Sequence, residues 1–145
     1  MGCLYRVKPI GVVHSKFKTR GEDIYSTLDE NIGEIEIFRE YVEGLSDLEG
    51  CSHIIVIFWL HKSNFTSLKI RPRHHPEKLR GVFATRSPDR PNPLGLTVVR
   101  LIEHKGNVLR VKGIDMLDGT PVLDIKPYTK REKIDAAECK WLCEK

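Results

Sequence analysis

The chain has 145 residues, enough for one domain of ordinary size, and at 40% hydrophobic and 30% charged it reads as globular rather than disordered. Its net charge of +4 is concentrated: within residues 71–90 six basic side chains (Arg71, Arg73, Lys78, Arg80, Arg86, Arg90) meet two acidic ones (Glu77, Asp89), an excess equal to that of the whole chain. A basic patch of this kind points to an anionic partner, and the longest apolar run, residues 54–60, is far shorter than the roughly 20 residues a membrane-spanning helix needs.

In chain order, residues 1–6 lack the apolar centre of a signal peptide, and Arg6 stands where a myristoylation signal beginning at Gly2 wants Ser or Thr. With four scattered cysteines (Cys3, Cys51, Cys139, Cys143), this predicts a cytoplasmic protein with reduced thiols. Residues 6–15, carrying Val7, Ile10, Val12 and Val13, read as a strand. Residues 32–38 alternate, with Ile32, Glu34, Glu36 and Phe38 on one face and Gly33, Ile35 and Ile37 on the other. Residues 46–49 read as a helical turn capped by Ser46. Residues 53–60 form an unbroken apolar run, the pattern of a strand buried on both faces. Residues 81–85 are a short apolar strand. Residues 94–103 and 108–114 flank a turn at Lys105-Gly106 and make a hairpin, and residues 122–125 are a last strand. Residues 136–142 read as a short terminal helix, on which Cys139 and Cys143 would share a face. About seven strands with short links predict a mainly β protein, an antiparallel sheet closed into a barrel or packed as a sandwich.

Neither GxGxxG nor GxxxxGK[ST] is present, so the phosphate-cradling loops of Rossmann and P-loop proteins are missing. Five of the eight prolines (Pro72, Pro76, Pro88, Pro91, Pro93) lie in residues 71–93. Proline fixes φ and removes a donor, so this loop is stiff without regular structure. Its segment 86–93 carries Arg86, Ser87, Asp89, Arg90 and Asn92. It is either a rigid platform for chemistry or a surface loop whose arginines pair locally. The stretch from Asp115 to Pro121 holds two carboxylates, a hydroxyl and an Asp118-Gly119 turn, where bare backbone admits a flat ligand closely. It fits a site at a barrel mouth and a plain tight turn equally well. His61-Lys62-Ser63-Asn64 follows the most hydrophobic strand, a common place for site residues. No metal site is expected: His74 and His75 are adjacent and lack a third ligand, as do Cys139 and Cys143. Ser87 has no glycine elbow and no base at motif spacing, so no nucleophilic triad is legible.

Gly81-Val82-Phe83-Ala84-Thr85-Arg86-Ser87-Pro88, followed by Arg90-Pro91-Asn92-Pro93-Leu94-Gly95-Leu96, resembles the signature of the TsaA-like family, that of the TrmO-type tRNA methyltransferases. Leu117-Asp118-Gly119-Thr120-Pro121-Val122-Leu123-Asp124-Ile125-Lys126-Pro127-Tyr128 continues the likeness, as do Pro9-Ile10-Gly11-Val12-Val13-His14-Ser15 and, between Leu45 and His61, Gly50, Ser52-His53 and Phe58. The resemblance implies a TsaA-like β-barrel over residues 1–130 with a short, helical tail over 131–145. It implies a site for S-adenosyl-L-methionine near the interface of a homodimer, and transfer of methyl to N6 of threonylcarbamoyladenosine at position 37 of tRNA. By motif, the cofactor contacts fall on His61, Lys62, Arg86, Leu96, Leu117, Asp118, Gly119 and Thr120. A Pro-Arg-Gln segment common in the family after the first strand is absent; Asp23-Ile24 stands roughly in its place.

The chemistry so implied is an in-line displacement, in which alignment supplies much of the acceleration. The carbonyl on the acceptor nitrogen makes its proton easier to lose, so a modest base suffices, and Asp118, Asp89 and His61 are its candidates. The threonine carboxylate calls for an arginine, Arg86 or Arg90. Arg71, Arg73, Lys78, Arg80, Arg90 and Asn92 are candidate contacts to tRNA, through phosphates and the substrate. Two other readings stay open: a module that binds S-adenosylmethionine or RNA without chemistry, and a methyltransferase for a different substrate.

Overall fold

The computed structural model describes residues 2–143, with Cys143 described for its backbone alone. In chain order the strands are β1 (Gly11–His14), β2 (Ile32–Ile37), β3 (His53–Trp59), β4 (Lys69–Ile70), β5 (Arg80–Gly81), β6 (Leu94–Lys105), β7 (Val108–Lys112) and β8 (Pro121–Pro127), followed by the short helix α1 (Lys140–Cys143). Six of them close into an antiparallel barrel in the order β1-β2-β7-β6-β3-β8, and β4 pairs with β5 outside it. This is the small antiparallel barrel, rather than the sandwich, of the two architectures expected.

The period-two pattern sets the register. Gly33, Ile35 and Ile37 of β2 point inward with Val13, Ile54, Val56, Phe58, Val99, Leu109, Val111 and Val122. Burying one such aliphatic side chain contributes about 1.5–3 kcal/mol, and a slip of one residue would turn the whole set outward. Gly95 is required for packing: a Cβ there would drive into the Phe58 ring. The β6–β7 hairpin closes through Gly106-Asn107, with Gly106 at φ +61, a conformation a side chain would oppose.

Several elements depart from the pattern. Strand β1 starts at Gly11, later than expected, with Gly11 standing opposite both Ile37 and Val122; Ile10 before it still bonds Val122 and Phe38 through its backbone. Strand β3 is not buried on both faces: Ile54, Val56 and Phe58 are inside, while Ile55, Ile57 and Trp59 are half-buried on the outside. Residues 81–85 are not a strand. Only Arg80–Gly81 pairs, and Val82–Ala84 turns as a 3-10 helix because the N–H and the hydroxyl of Thr85 both donate to the Val82 carbonyl. Ser46 does not cap the turn after it; its hydroxyl closes the preceding one on the Glu43 carbonyl, and Asp47 precedes Leu48–Gly50 in the left-handed region. The terminal helix begins at Lys140 instead of Ala136, and the expected Cys139–Cys143 face lies outside the described side chains.

Antiparallel order sorts the connections between the two ends. The segments 15–31, 60–93 and 113–120 all emerge at one end, which we call the open end. Segments 38–52 and 106–107 emerge at the other, the closed end.

Candidate active site at the open end of the barrel

The segment 117–120 forms a tight turn. The N–H and hydroxyl of Thr120 both donate to the Leu117 carbonyl (3.2 and 2.6 Å), and Gly119 takes φ +81. The turn is stitched to β1 and the loop after it by Asp118 N–H to the Phe17 carbonyl (2.7 Å) and Gly119 N–H to the Val13 carbonyl (2.8 Å). Gly119 presents bare backbone, and the nearest atom to where its Cβ would stand is His61 Nε2, at 3.9 Å. His61 and the Leu117–Thr120 turn, 56 residues apart at their nearest, are thus neighbours. Burial first, then the Lys62 charge, holds the His61 imidazole below its usual range, so it is neutral at pH 7.

Asp118 and Asp89 are both committed. Asp118 accepts the Ser15 N–H (3.0 Å) and the Lys18 ammonium (2.8 Å), which hold its carboxyl below the usual range. Asp89, 7% exposed, accepts the Ser63 hydroxyl (2.8 Å) and the Arg20 guanidinium (3.2 Å). Asp89 therefore ties segment 60–93 to itself and to segment 15–31. Arg90 is turned inward as well, donating to the carbonyls of Thr85 (2.9 Å) and Ser87 (3.2 Å). Ser87 braces the same loop, its hydroxyl accepting the Asp89 N–H. Of the two arginines considered for a substrate carboxylate, Arg86 is the exposed one.

Arg86 belongs to a polar cluster that sequence reasoning missed. The Thr97 hydroxyl donates to Asp115 Oδ1 (2.7 Å), Arg86 lies close enough for its charge to act on Asp115 and on Tyr25, and Arg73 acts on Tyr25. The barrel opens here: β6 pairs with β3 along residues 94–100 and with β7 only from Arg100 onward, so the segment after β7 approaches Thr97 instead. Desolvation raises the Asp115 carboxyl above its usual range, opposed by the Thr97 hydrogen bond and then by Arg86. Tyr25 is 61% exposed as a residue, yet desolvation and then the Asp115 charge raise its hydroxyl above the usual range, opposed by Arg86 and Arg73. Asn31 holds Tyr25 near them. Its buried amide donates to the carbonyls of Ile24 (3.0 Å) and Ile114 (3.2 Å) and accepts the Thr27 hydroxyl (2.7 Å), clamping the segment before β2 to the residue before Asp115. Asp115 had a signal in the sequence, as the first carboxylate of the 115–121 stretch; Tyr25, Asn31 and Thr97 had none.

The remaining candidates lie around this mouth. Arg71 donates to the Pro76 carbonyl (3.0 Å) and Arg73 to that of Arg20 (3.4 Å). Arg80 stacks on Trp141 (4.8 Å), with His75 edge-on to the same ring (5.6 Å). Lys62, His74, Lys78 and Asn92 are exposed. Among the described residues no group of three His, Cys, Asp or Glu is placed to hold a metal ion. Leu96 lies elsewhere, on the outer face of β6 with Leu94, Val98 and Ile102, all exposed. Opposite them on β3 stand Trp59, Ile57 and Ile55, in the pairs Leu94–Trp59, Leu96–Ile57 and Val98–Ile55.

Comparison with known proteins agrees with this fold. Residues 12–136 match the model of the family described as tRNA-methyltransferase O N-terminal domain. A probable S-adenosyl-L-methionine-binding protein of Pyrococcus abyssi is 52% identical over 123 residues, 83% of this chain and 66% of the relative. The human tRNA (adenine(37)-N6)-methyltransferase is 46% identical over 95 residues, 63% of this chain and 21% of the relative. The crystal structure of TrmO from Pseudomonas aeruginosa superposes with a TM-score of 0.78 at 36% identity, over 94% of this chain and 61% of that one. The chain therefore spans just under two thirds of the length of the Pyrococcus relative and of TrmO. By fold, by motif and by extent of match, it belongs to the tRNA-methyltransferase O N-terminal domain family.

Proposed function

We propose that the chain is an S-adenosyl-L-methionine-dependent tRNA methyltransferase acting on N6 of threonylcarbamoyladenosine at position 37, in the cytoplasm and as a homodimer. The observation that carries the reading is the convergence at the open end: bare Gly119 backbone against His61, beside a cluster holding an exposed arginine and a carboxylate with lone pairs to spare. The relatives, a probable binder of S-adenosylmethionine and an adenine-37 N6-methyltransferase, supply the chemistry that fits it.

The residues present suit the cofactor. A flat adenine ring needs backbone without a side chain, which Gly119 offers, and donors and acceptors at the edge, which a neutral His61 and the carbonyl of the turn offer. Lys62, Arg86, Leu117, Asp118 and Thr120 would complete that cradle, Asp118 and Thr120 by fixing its shape rather than by touching the ligand. S-adenosylmethionine, when bound, supplies an electrophilic sulfonium methyl. Arg86 would pair with the threonine carboxylate, and Arg71, Arg73, Lys78, Arg80 and Asn92 would receive the tRNA around the mouth.

The homodimer rests on the outer face of β3 and β6. An apolar stripe of six side chains on adjoining strands is out of place against water, and it includes Leu96, one of the cofactor contacts implied by motif. A second copy over that stripe would bring the partner to the cofactor site. Wild type should sediment as a dimer and Leu96→Glu as a monomer; a monomeric wild type would refute the assembly.

The function is tested by incubating the protein with labelled methyl donor and tRNA carrying threonylcarbamoyladenosine, then analysing nucleosides by mass. Label on N6 of that nucleoside is expected. No label at all means a binding module, and label on another nucleoside means another substrate.

A further inference from the structure

We propose that the acceptor base is received at the open seam between β6 and the segment after β7, where Thr97 bonds Asp115, and that the Asp115 carboxylate takes the proton from N6. The inference rests on the methyltransferase reading above and assigns the acid–base role within it to a residue outside the three considered from sequence.

A proton acceptor needs a free lone pair, a strong enough basicity and a place beside the reacting atom. Asp118 fails the second requirement, since the Lys18 ammonium and the Ser15 N–H, one on each oxygen, hold its carboxyl below the usual range and make it a weaker base. Asp89 is buried under the loop, with the Ser63 hydroxyl on one oxygen and the Arg20 guanidinium on the other. His61 has a free nitrogen, but its surroundings make it a weaker base than an ordinary imidazole, and it adjoins the turn that would hold the cofactor. Asp115 meets the first two and lies three residues before Asp118 of the turn that would hold the cofactor. Thr97 occupies Oδ1 with one hydrogen bond, and no other side chain among the described residues bonds the carboxylate. Desolvation makes the carboxylate more basic than an exposed one, opposed by the Thr97 hydrogen bond, its own backbone and the Arg86 charge. The charged and titratable groups near enough to act on it or on its neighbour Tyr25 are Arg86 and Arg73.

The same groups suit the substrate. The exposed Tyr25 ring offers a base a stacking surface, a contact worth about 1–3 kcal/mol per base. Arg73 and Arg86, both exposed and near enough for their charges to act on Tyr25, offer the threonine carboxylate two guanidinium groups. In the step, the N6–H bond breaks and its proton passes to Asp115 Oδ2. The N6 electron pair forms the new N–C bond to the methyl carbon. The C–S bond breaks with its electrons left on sulfur, which turns the sulfonium into a neutral thioether. Asp115 then returns the proton to water.

The test compares Asp115→Asn with wild type in single-turnover methylation across pH 4–9, alongside binding of the modified anticodon stem-loop and of the cofactor by calorimetry. Asparagine keeps the size and still accepts the Thr97 hydroxyl. The expected result is a rate lowered 100-fold or more. Both affinities should stay within about 2-fold, and the fall in rate toward acid pH expected of wild type should be absent. Thr97→Val guards against a variant that simply folds poorly. Losing the hydroxyl raises the Asp115 carboxyl further, so the acid limb should move to higher pH at unchanged stem-loop affinity. A rate for Asp115→Asn within 3-fold of wild type, an acid limb that persists in it, or a limb that stays in place in Thr97→Val overturns the assignment. If wild type itself transfers no methyl to the modified tRNA, the underlying reading falls and this one with it; if wild type transfers and Asp115→Asn does so equally, this one alone falls.

Discussion

The two ends of the barrel share a core and differ in almost everything else. At the closed end, segment 38–52 carries one arginine against four carboxylates (Glu40, Glu43, Asp47, Glu49), and the β6–β7 link is two residues long. Beneath that segment lies a mainly apolar cavity of about 560 Å³ lined by Ile10, Tyr41, Leu45, Leu48 and Ile125. At the open end, segment 60–93 alone carries eight basic side chains against two acidic ones. Its polar groups bond across loops far apart in sequence, as Asp89 with Ser63 and Arg20, and Asn31 with Ile114, show. The closed end is sealed by local turns and apolar contact. The open end is assembled by a few buried polar side chains, which cost stability if unmatched and fix position when matched.

That difference makes Asn31 the sharpest place to break the open end without touching its surface. Asn31→Ala leaves the Ile24 and Ile114 carbonyls unpaired in the interior and removes the acceptor of the Thr27 hydroxyl. We expect a loss of about 3 kcal/mol of stability and a Tm lower by roughly 10 °C. Below that Tm, methylation should still fall by more than tenfold while the closed end stays intact, because Tyr25 loses its tether. Differential scanning calorimetry and the methylation assay check this. A variant with wild-type Tm would show that water replaces the amide and that the clamp is dispensable.

The chain's own order explains why half of this contrast was readable beforehand. Strand β2 follows from alternation, β3 from an unbroken apolar run, and β6, β7 and β8 from apolar, β-branched runs bounded by turns, all of them local signals. The rigid 86–93 loop and the Asp118-Gly119 turn followed from residues whose backbone preferences are strong. Other features depend on long-range contact. Nothing near Tyr25 announces that it meets Asp115, 90 residues on, because that meeting is made by Asn31 and the closure of the barrel. The apolar run in β3 was read as doubly buried because sequence reports only that both faces are apolar, not that the outer one meets β6 side chains at the surface. Arg90 and Asp89 sat in the right motif, but whether they face ligand or brace the loop depends on Ser63, Arg20 and Thr85. The opening charge patch divides accordingly: Arg90 is internal, Arg80 is stacked on Trp141, and Arg71, Arg73, Lys78 and Arg86 remain to meet an anion.

Replacing the exposed cations should weaken RNA binding in a graded way. Lys78→Ala and Arg71→Ala should each lower tRNA affinity about 3- to 10-fold at moderate salt. Each should also reduce the slope of log K against log salt by about 1, the signature of one lost phosphate contact. Arg90→Ala should behave differently, lowering Tm with little change of slope, because its guanidinium is spent on the carbonyls of Thr85 and Ser87. Filter binding at several salt concentrations separates the two. An Arg90 variant with the slope change and no loss of Tm would mean that the inward hydrogen bonds give way when RNA binds.

Charge reversal at the closed end should produce the smallest effect. Glu40→Lys with Glu43→Lys shifts the net charge by four, twice the change made by removing Lys78 and Arg71 together, yet it does so at the far side of the barrel. Seven residues of β3 span roughly 20 Å, more than twice the Debye length of about 8 Å at physiological ionic strength. If tRNA is held at the open end, its affinity should therefore change less than 2-fold at 0.15 M salt and its salt slope should not move, however much the total charge rises. Only at low ionic strength, where screening weakens, should the pair tighten binding. A tenfold gain at 0.15 M would place RNA along the whole barrel rather than at one mouth, and the distinction between the two ends would lose its functional meaning. Insensitivity to net charge, set against the graded response to Lys78 and Arg71, would show that position and not total charge governs how this fold meets its anionic partner.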